Sequence, residues 1–251
     1  MDILSLLGVM VAVLAIFLGQ TIDGGPLMSL INLPALLIVV GGSLGAVMLQ
    51  VPLNTFKRAL QMLRWVLIPP QDNMQPVIDK IVSWSDIARK KGVLSLDQFI
   101  RYEEDPYTQN ALQLLIDGRD PDVIRSTLET EIDTRQDFDY LAAKVYEAMG
   151  GYTPTLGILG AVIGLIHVME NLSEPGILGH GIATAFVATV YGVGLANLLL
   201  IPVSKKLMHI VHMQARQREM ILAGILCICD GENPRNVSTR LSSFQRQPHA
   251  A

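Results

Sequence analysis

Half of the 251 residues are hydrophobic, only 17% are charged, and the mean hydropathy is +0.39, a balance that excludes an ordinary soluble domain and points to a membrane protein with a soluble portion. The net charge of −4 is too small to attract nucleic acid. Cys227 and Cys229 form a lone C-x-C without a second pair, so a zinc centre is not expected and the thiols read as reduced.

Four stretches approach the roughly 17–25 apolar residues that a helix needs to cross a bilayer: 3–18, 33–51, 154–169 and 182–203. The first is short, but no Lys or Arg precedes it and no small-x-small cleavage site follows, so it reads as a span rather than a cleaved signal. In the second, Gly41-Gly42-x-x-Gly45-Ala46 makes a face of small residues for packing against other helices. Those glycines lack the following Lys-Ser/Thr and the preceding strand of a phosphate loop.

After Pro52 the pattern becomes amphipathic, with Phe56, Leu60, Leu63, Leu67 and Ile68 on one side and Lys57, Arg58, Gln61 and Arg64 on the other. This predicts a helix that continues down from the membrane or bends along its surface, ended by Pro69-Pro70. A second helix is predicted over 76–91, with Val77, Ile78, Ile81 and Ala88 inward and Gly92 as its stop. A third lies between Asp105-Pro106 and Gly118, and a fourth starts at Asp120-Pro121. The fourth carries Ile124, Leu128, Phe138, Leu141, Val145 and Met149 and meets its first breaker at Gly150-Gly151. It would be roughly 45 Å long at 1.5 Å per residue and would feed directly into the third span.

The chain is organised around the third and fourth spans, read as joined by a loop of about ten residues. Gly157, Gly160, Ala161 and Gly164 share one helix face in the first of them, and Ala185, Ala188, Thr189, Gly192 and Ala196 share one in the second. Such faces let another backbone come close. They can pack on each other, but two matching stripes favour a shared partner. Ionisable side chains are confined to His167 and Glu170, near the outer end of the third span. Proton-moving membrane proteins mark their routes with intramembrane carboxylates or histidines, so any ion path here needs a carboxylate from another subunit. The tail begins as a basic helix over 205–220 and is expected to be unstructured from Pro234.

All 19 Lys and Arg fall in two segments, twelve in 57–144 and seven in 205–246. Basic segments stay cytoplasmic, which places both termini and the middle segment inside and the turns 19–32 and 170–181 outside. The reading is an all-α membrane protein of four transmembrane helices with a helical cytoplasmic insert between the second and third. Its parts are spans 1 and 2 (1–51), the insert (52–151), the hairpin of spans 3 and 4 (152–203) and the tail (204–251). No nucleophile motif, metal cluster or nucleotide fingerprint is present, so neither an enzyme nor a cofactor is expected.

Three stretches carry a family resemblance: Pro154-Thr155-Leu156-Gly157-Ile158-Leu159-Gly160-Ala161-Val162-Ile163-Gly164-Leu165-Ile166-His167, Thr189-Val190-Tyr191-Gly192-Val193-Gly194-Leu195-Ala196-Asn197, and Ala88-Arg89-Lys90-Lys91-Gly92-Val93-Leu94-Ser95-Leu96-Asp97. Together with the order of spans over nearly the whole chain, they resemble the A subunit of the bacterial flagellar motor stator, the MotA/PomA family. The resemblance implies an inner-membrane homopentamer around a dimer of single-span, peptidoglycan-binding B subunits. Ion flow past a B aspartate then turns the pentamer against the rotor protein of the flagellar switch, within membrane lipid. It implies an ion pathway past Thr189, Ala161 and Thr155, small-residue packing at Gly157, Gly160, Gly164, Ala185, Ala188, Gly192 and Ala196, hinges at Pro154 and Pro202, and rotor contacts at Arg89, Lys90 and Asp97. Asp97 stands where the family usually has Glu. Sodium-driven relatives carry Thr at the position of Ala161, so this chain is expected to use protons. The related TolQ/ExbB energisers share the pore hairpin but have one span before the insert, and a stand-alone secondary transporter would need a substrate site in its own helices.

Overall fold

The computed structural model describes residues 3–70, 73–171, 173 and 175–245. Among them there are helices and turns and no strand. Helix α1 (Ile3–Ile22) is apolar along its whole length and buries none of its residues. A short 3-10 turn follows, and Asn32 opens the second span by accepting a hydrogen bond from the Ala35 N–H at 3.0 Å. That span is α2 (Leu33–Leu36), a π turn (Leu37–Gly41) and α3 (Gly42–Gln50). It ends at Val51, whose extended ψ of 147° and following Pro52 turn the chain into α4 (Leu53–Met62). The insert continues with α5 (Met74–Lys91), α6 (Asp97–Ile100) and α7 (Pro106–Ile116). Next come α8 (Pro121–Glu170), α9 (Pro175–Leu195), a second π turn (Ala196–Leu200), α10 (Ile201–Cys229) and α11 (Pro234–Gln245).

The chain forms two compact units. The first comprises Met1–Pro70 with Phe138–His209, and the second comprises Gln71–Asp137 with Ile210–Ala251. Four helices are long and apolar enough to cross a membrane. In the first unit α2 packs on α9, and a small apolar cluster of Ala35, Val39, Val187 and Ala188 sits at their contact. The second unit has an ordinary hydrophobic core, in which Ile78, Ile81 and Trp84 of α5 meet Tyr107 and Leu112 of α7, Ile124 and Leu128 of α8, Met220 and Ile225 of α10, and Val237 and Leu241 of α11. Gly224 brings α10 within reach of α5, since a Cβ there would stand 2.6 Å from Ile81 Cγ2.

Several expectations are corrected. Gly150-Gly151 does not end the fourth predicted helix, because α8 runs unbroken to Glu170. Gly150 is a point of close approach instead, where a Cβ would come within 2.9 Å of Ile201 Cγ1. The turn between the third and fourth spans is four residues rather than ten, because Pro175 opens α9 at a first-turn position and the following glycines are absorbed into the helix. Glu174, assigned to that turn, lies outside the described residues. Helix α5 begins two residues earlier than 76, capped by Asn73. The stretch from Pro234, expected without structure, forms α11 with Val237 and Leu241 buried, and only 246–251 lie outside the described residues. Its Ser-rich composition masks an amphipathic helix. The helix predicted after Pro52 forms as α4, which buries Thr55, Ala59 and Met62 and leaves Leu53 and Leu60 exposed.

Candidate functional site

The small residues of the hairpin face one another. A Cβ on Gly157 would stand 2.8 Å from the Ala188 carbonyl oxygen, and one on Gly192 would stand 2.7 Å from that of Thr153. At Gly164 it would meet the Gly181 carbonyl oxygen at 2.9 Å, and at Gly160 the Ala188 Cβ at 2.8 Å. Real Cβ atoms do not approach backbone this closely, so each of these glycines sets the distance between α8 and α9. Ala185, Ala188 and Ala196 are buried along the same stretch. The small stripes are therefore filled within the chain, and a partner helix would meet the side chains that flank them.

Thr189 and Ala161 flank that seam, each one residue along its helix from a seam position, and Thr189 is exposed while Ala161 is half-buried. The Thr189 hydroxyl donates to the Ala185 carbonyl at 3.3 Å, and the exposed Thr155 hydroxyl donates to that of Tyr152 at 2.8 Å. Each hydroxyl oxygen keeps its lone pairs for a proton donor or a water. Among the described residues of 150–203 the only carboxylate is Glu170, at the last position of α8. No group of residues able to hold a metal ion occurs among the described residues.

Pro154 lies inside α8 and has no N–H for the Gly150 carbonyl. The buried Thr153 hydroxyl supplies the missing donor, at 3.1 Å from Gly150 O and 3.3 Å from Met149 O, so the helix stays continuous across the proline. Pro202 follows the π turn, in which the hydrogen-bond ladder is already shifted. Immediately beyond it the Ser204 hydroxyl, fully buried, donates to the Ala143 carbonyl at 2.9 Å.

Two polar connections were not anticipated from the sequence. Arg58 of α4 grips Asp139 of α8 with two hydrogen bonds, Nε to Oδ1 at 2.6 Å and Nη2 to Oδ2 at 2.9 Å, and its guanidinium lies 5.0 Å from the Trp65 ring. The Tyr146 hydroxyl donates to the Ala59 carbonyl at 2.8 Å beside this pair. At the other end of the spans the Tyr191 hydroxyl donates to the Leu30 carbonyl, while Asn32 donates from Nδ2 to the Thr184 hydroxyl at 2.7 Å and from its backbone N–H to Tyr191 at 3.2 Å. The first signal, an arginine and an aspartate 81 positions apart, has no local pattern. The second was visible as an Asn before Leu33-Pro34, the signature of a cap.

Residues 6–92 match the motility protein A N-terminal family, and residues 100–220 match the MotA/TolQ/ExbB proton channel family. Motility protein A of Helicobacter pylori is 34% identical over 244 residues, which cover 97% of this chain and 95% of that protein. The chain belongs to the motility protein A family. Within that family, chemotaxis protein PomA of Vibrio alginolyticus is 30% identical over 97% of the chain and 95% of its own length. Among solved structures, that of C. jejuni MotAB superposes with a TM-score of 0.93 at 29% identity, covering 100% of this chain and 98% of that one. The flagellar MotAB stator complex of Bacillus subtilis gives 0.86 at 30% identity, covering 96% and 95%. The match to the motility protein A N-terminal family spans the first two membrane helices, the part by which the resemblance had set this family apart from the TolQ/ExbB energisers.

In this motility protein A family member the charged residues read as rotor contacts lie in the second unit. Arg89, Lys90 and Lys91 form the last turn of α5, all exposed, where cations favour the negative end of the helix dipole. Lys90 pairs with Asp86 one turn back at 2.6 Å. Gly92, at a φ of +85°, reverses the chain, and Asp97 stands exposed in the first turn of α6. Leu94 and Tyr102 are exposed on the same short stretch. The second core beneath, including Trp84 packed on Phe99 with ring centroids 6.5 Å apart, holds this tip in place.

Proposed function

We propose that the chain is the A subunit of a proton-driven flagellar stator, set in the bacterial inner membrane with both termini and the 52–151 segment in the cytoplasm. The observation that carries the reading is the hairpin. Its two backbones are pressed together by Gly157, Gly164 and Gly192, Thr155 and Thr189 lie exposed on it, and its described residues hold no carboxylate but Glu170 at the end of α8. A path for ions then needs an acidic residue from a partner, and the similar solved structures are MotAB complexes, in which a second subunit is present.

In this reading five copies surround a dimer of single-span B subunits anchored to peptidoglycan, and a B carboxylate stands near Thr189, Ala161 and Thr155. Dry surroundings raise the pKa of such a carboxylate towards working pH, so it can take a proton from one side and release it to the other. Its change of charge alters how the hairpin packs around it. Helix α8 carries that movement past Pro154, and α10 carries it from Pro202. Arg89, Lys90 and Asp97 then push on charges of the rotor switch protein. Sodium would have to exchange its hydration shell for protein oxygens, and Ala161 offers none.

The test is to co-express the chain with a single-span partner in a non-motile host and to follow both copurification and swimming. Copurification is expected, with swimming that stops on addition of a protonophore and is indifferent to external sodium. Swimming that requires sodium and survives the protonophore would overturn the ion assignment, and failure to bind any single-span partner would overturn the stator reading.

A further inference from the structure

The 53–68 segment leaves a surface that the stator reading does not use. The apolar side chains Leu53, Leu60, Leu63, Leu67 and Ile68 are all exposed, the first and last at 65%. Two cations, Lys57 and Arg64, are exposed as well. Leu53, Lys57 and Leu60 follow one another at steps of four and three on α4, so a cation lies between two leucines on one face, and Arg64 and Leu67 follow across the 3-10 turn (Leu63–Val66) that ends the helix.

The direction of that face is fixed by what holds the other side. Thr55, Ala59 and Met62 are buried, Tyr146 bonds the Ala59 carbonyl, and Arg58 is turned inward onto Asp139. Lys206 also donates to the Val66 carbonyl at 2.8 Å. Of the three cations of the segment, Arg58 is thus engaged within the protein while Lys57 and Arg64 are exposed. Across the turn at Val51-Pro52 the apolar surface is continuous with the exposed end of the second span, where Leu49 is 90% exposed and Met48 lies beside it.

From this geometry we infer that 53–68 is a binding surface for anionic phospholipid: the leucines sit on acyl chains at the edge of the bilayer, and Lys57 and Arg64 hold the phosphate headgroups. An amphipathic helix with cations bordering its apolar side lies in the membrane interface, with its charged heads reaching to the phosphate layer. Basic residues beside a span are drawn to anionic lipid in particular. The inference requires only that the second span crosses a bilayer and is independent of the ion, the rotor and the B subunit.

The experiment titrates the purified full-length chain in detergent with phosphatidylglycerol or with phosphatidylcholine, reading bound lipid by native mass spectrometry and thermal unfolding in parallel. The wild type is expected to prefer phosphatidylglycerol. Taking roughly fivefold per cation near an anionic surface, K57Q/R64Q should weaken phosphatidylglycerol binding by about 25-fold and leave phosphatidylcholine binding unchanged, while the charge-keeping K57R/R64K should retain the preference. Equal binding of the two lipids by the wild type, or an undiminished preference in a folded K57Q/R64Q, would overturn the proposal. So would efficient disulfide cross-linking of L60C between copies of the chain beyond that of the parent, which would make the face a protein interface.

Discussion

Removing Arg58 tests how the first unit is held together. The Asp139 carboxylate is buried, 2% exposed, and its two oxygens are each taken by the Arg58 guanidinium. Arg58→Ala leaves a buried charge with no cation, a loss of about 3–5 kcal/mol where this has been measured in other proteins. At roughly 2–4 °C per kcal/mol for a chain of this size, the melting temperature should fall by roughly 6–20 °C. Replacing both partners by apolar side chains, Arg58→Met with Asp139→Leu, removes the charge as well as its cation and should cost far less than the single change. The gap between the single and double variants measures the coupling between α4 and α8, and pairs in contact deviate from additivity by about 0.5–3 kcal/mol. Thermal melts of the wild type, Arg58→Met, Asp139→Leu and the double variant in one detergent provide the cycle. If Arg58→Ala melts within about 2 °C of the wild type, or the double variant falls as far as the single one, the pair does not hold α4 on α8.

Glycine positions of the hairpin should divide sharply: Gly192→Ala places a methyl 2.7 Å from the Thr153 carbonyl and should impair assembly, whereas Gly194→Ala, with nothing within 4 Å, should not, as copurification and swimming assays would reveal. Reversing Arg89 and Lys90 together to Glu should weaken or abolish swimming without loss of membrane insertion, because exposed pairs are worth only about 0.2–1 kcal/mol each and single changes are too small to see; a double reversal that swims normally would remove them from rotor contact. Pro154→Ala restores the N–H that Thr153 now replaces, so the variant should melt no lower than the wild type yet turn a tethered motor slowly, and normal torque would remove the proline from the mechanism.

Much of the layout was readable in the chain because hydrophobic length and helix-terminal residues are local signals. The four spans, the cap at Asp105 and the stops at Gly92 and Gly118 follow from such patterns, and each glycine has a positive φ in the structure. What was misread depends on distance. Gly150 looks like a breaker in sequence because glycine weakens helices, but it serves an approach to Ile201 that no nearby residue announces. The pattern after Pro52 separates two sides of a helix but does not say which of them the protein covers, and it is Thr55, Ala59 and Met62 that are buried. No residue near Asp139 in the chain announces its partner, which comes from 81 positions away.

The π turn at Ala196–Leu200 also makes the chain sensitive to length. Its backbone bonds reach one residue further back than those of an α-helix, so the turn stores one surplus residue. Everything downstream is thereby rotated by about 100°, the angle one residue contributes to a helix of 3.6 residues per turn. The bond from Ser204 to Ala143 and that from Lys206 to Val66 depend on this phase. A chain longer by a single residue between Leu200 and Ser204 would change little in composition, hydropathy and span length, yet it would present Lys205 where Lys206 now stands.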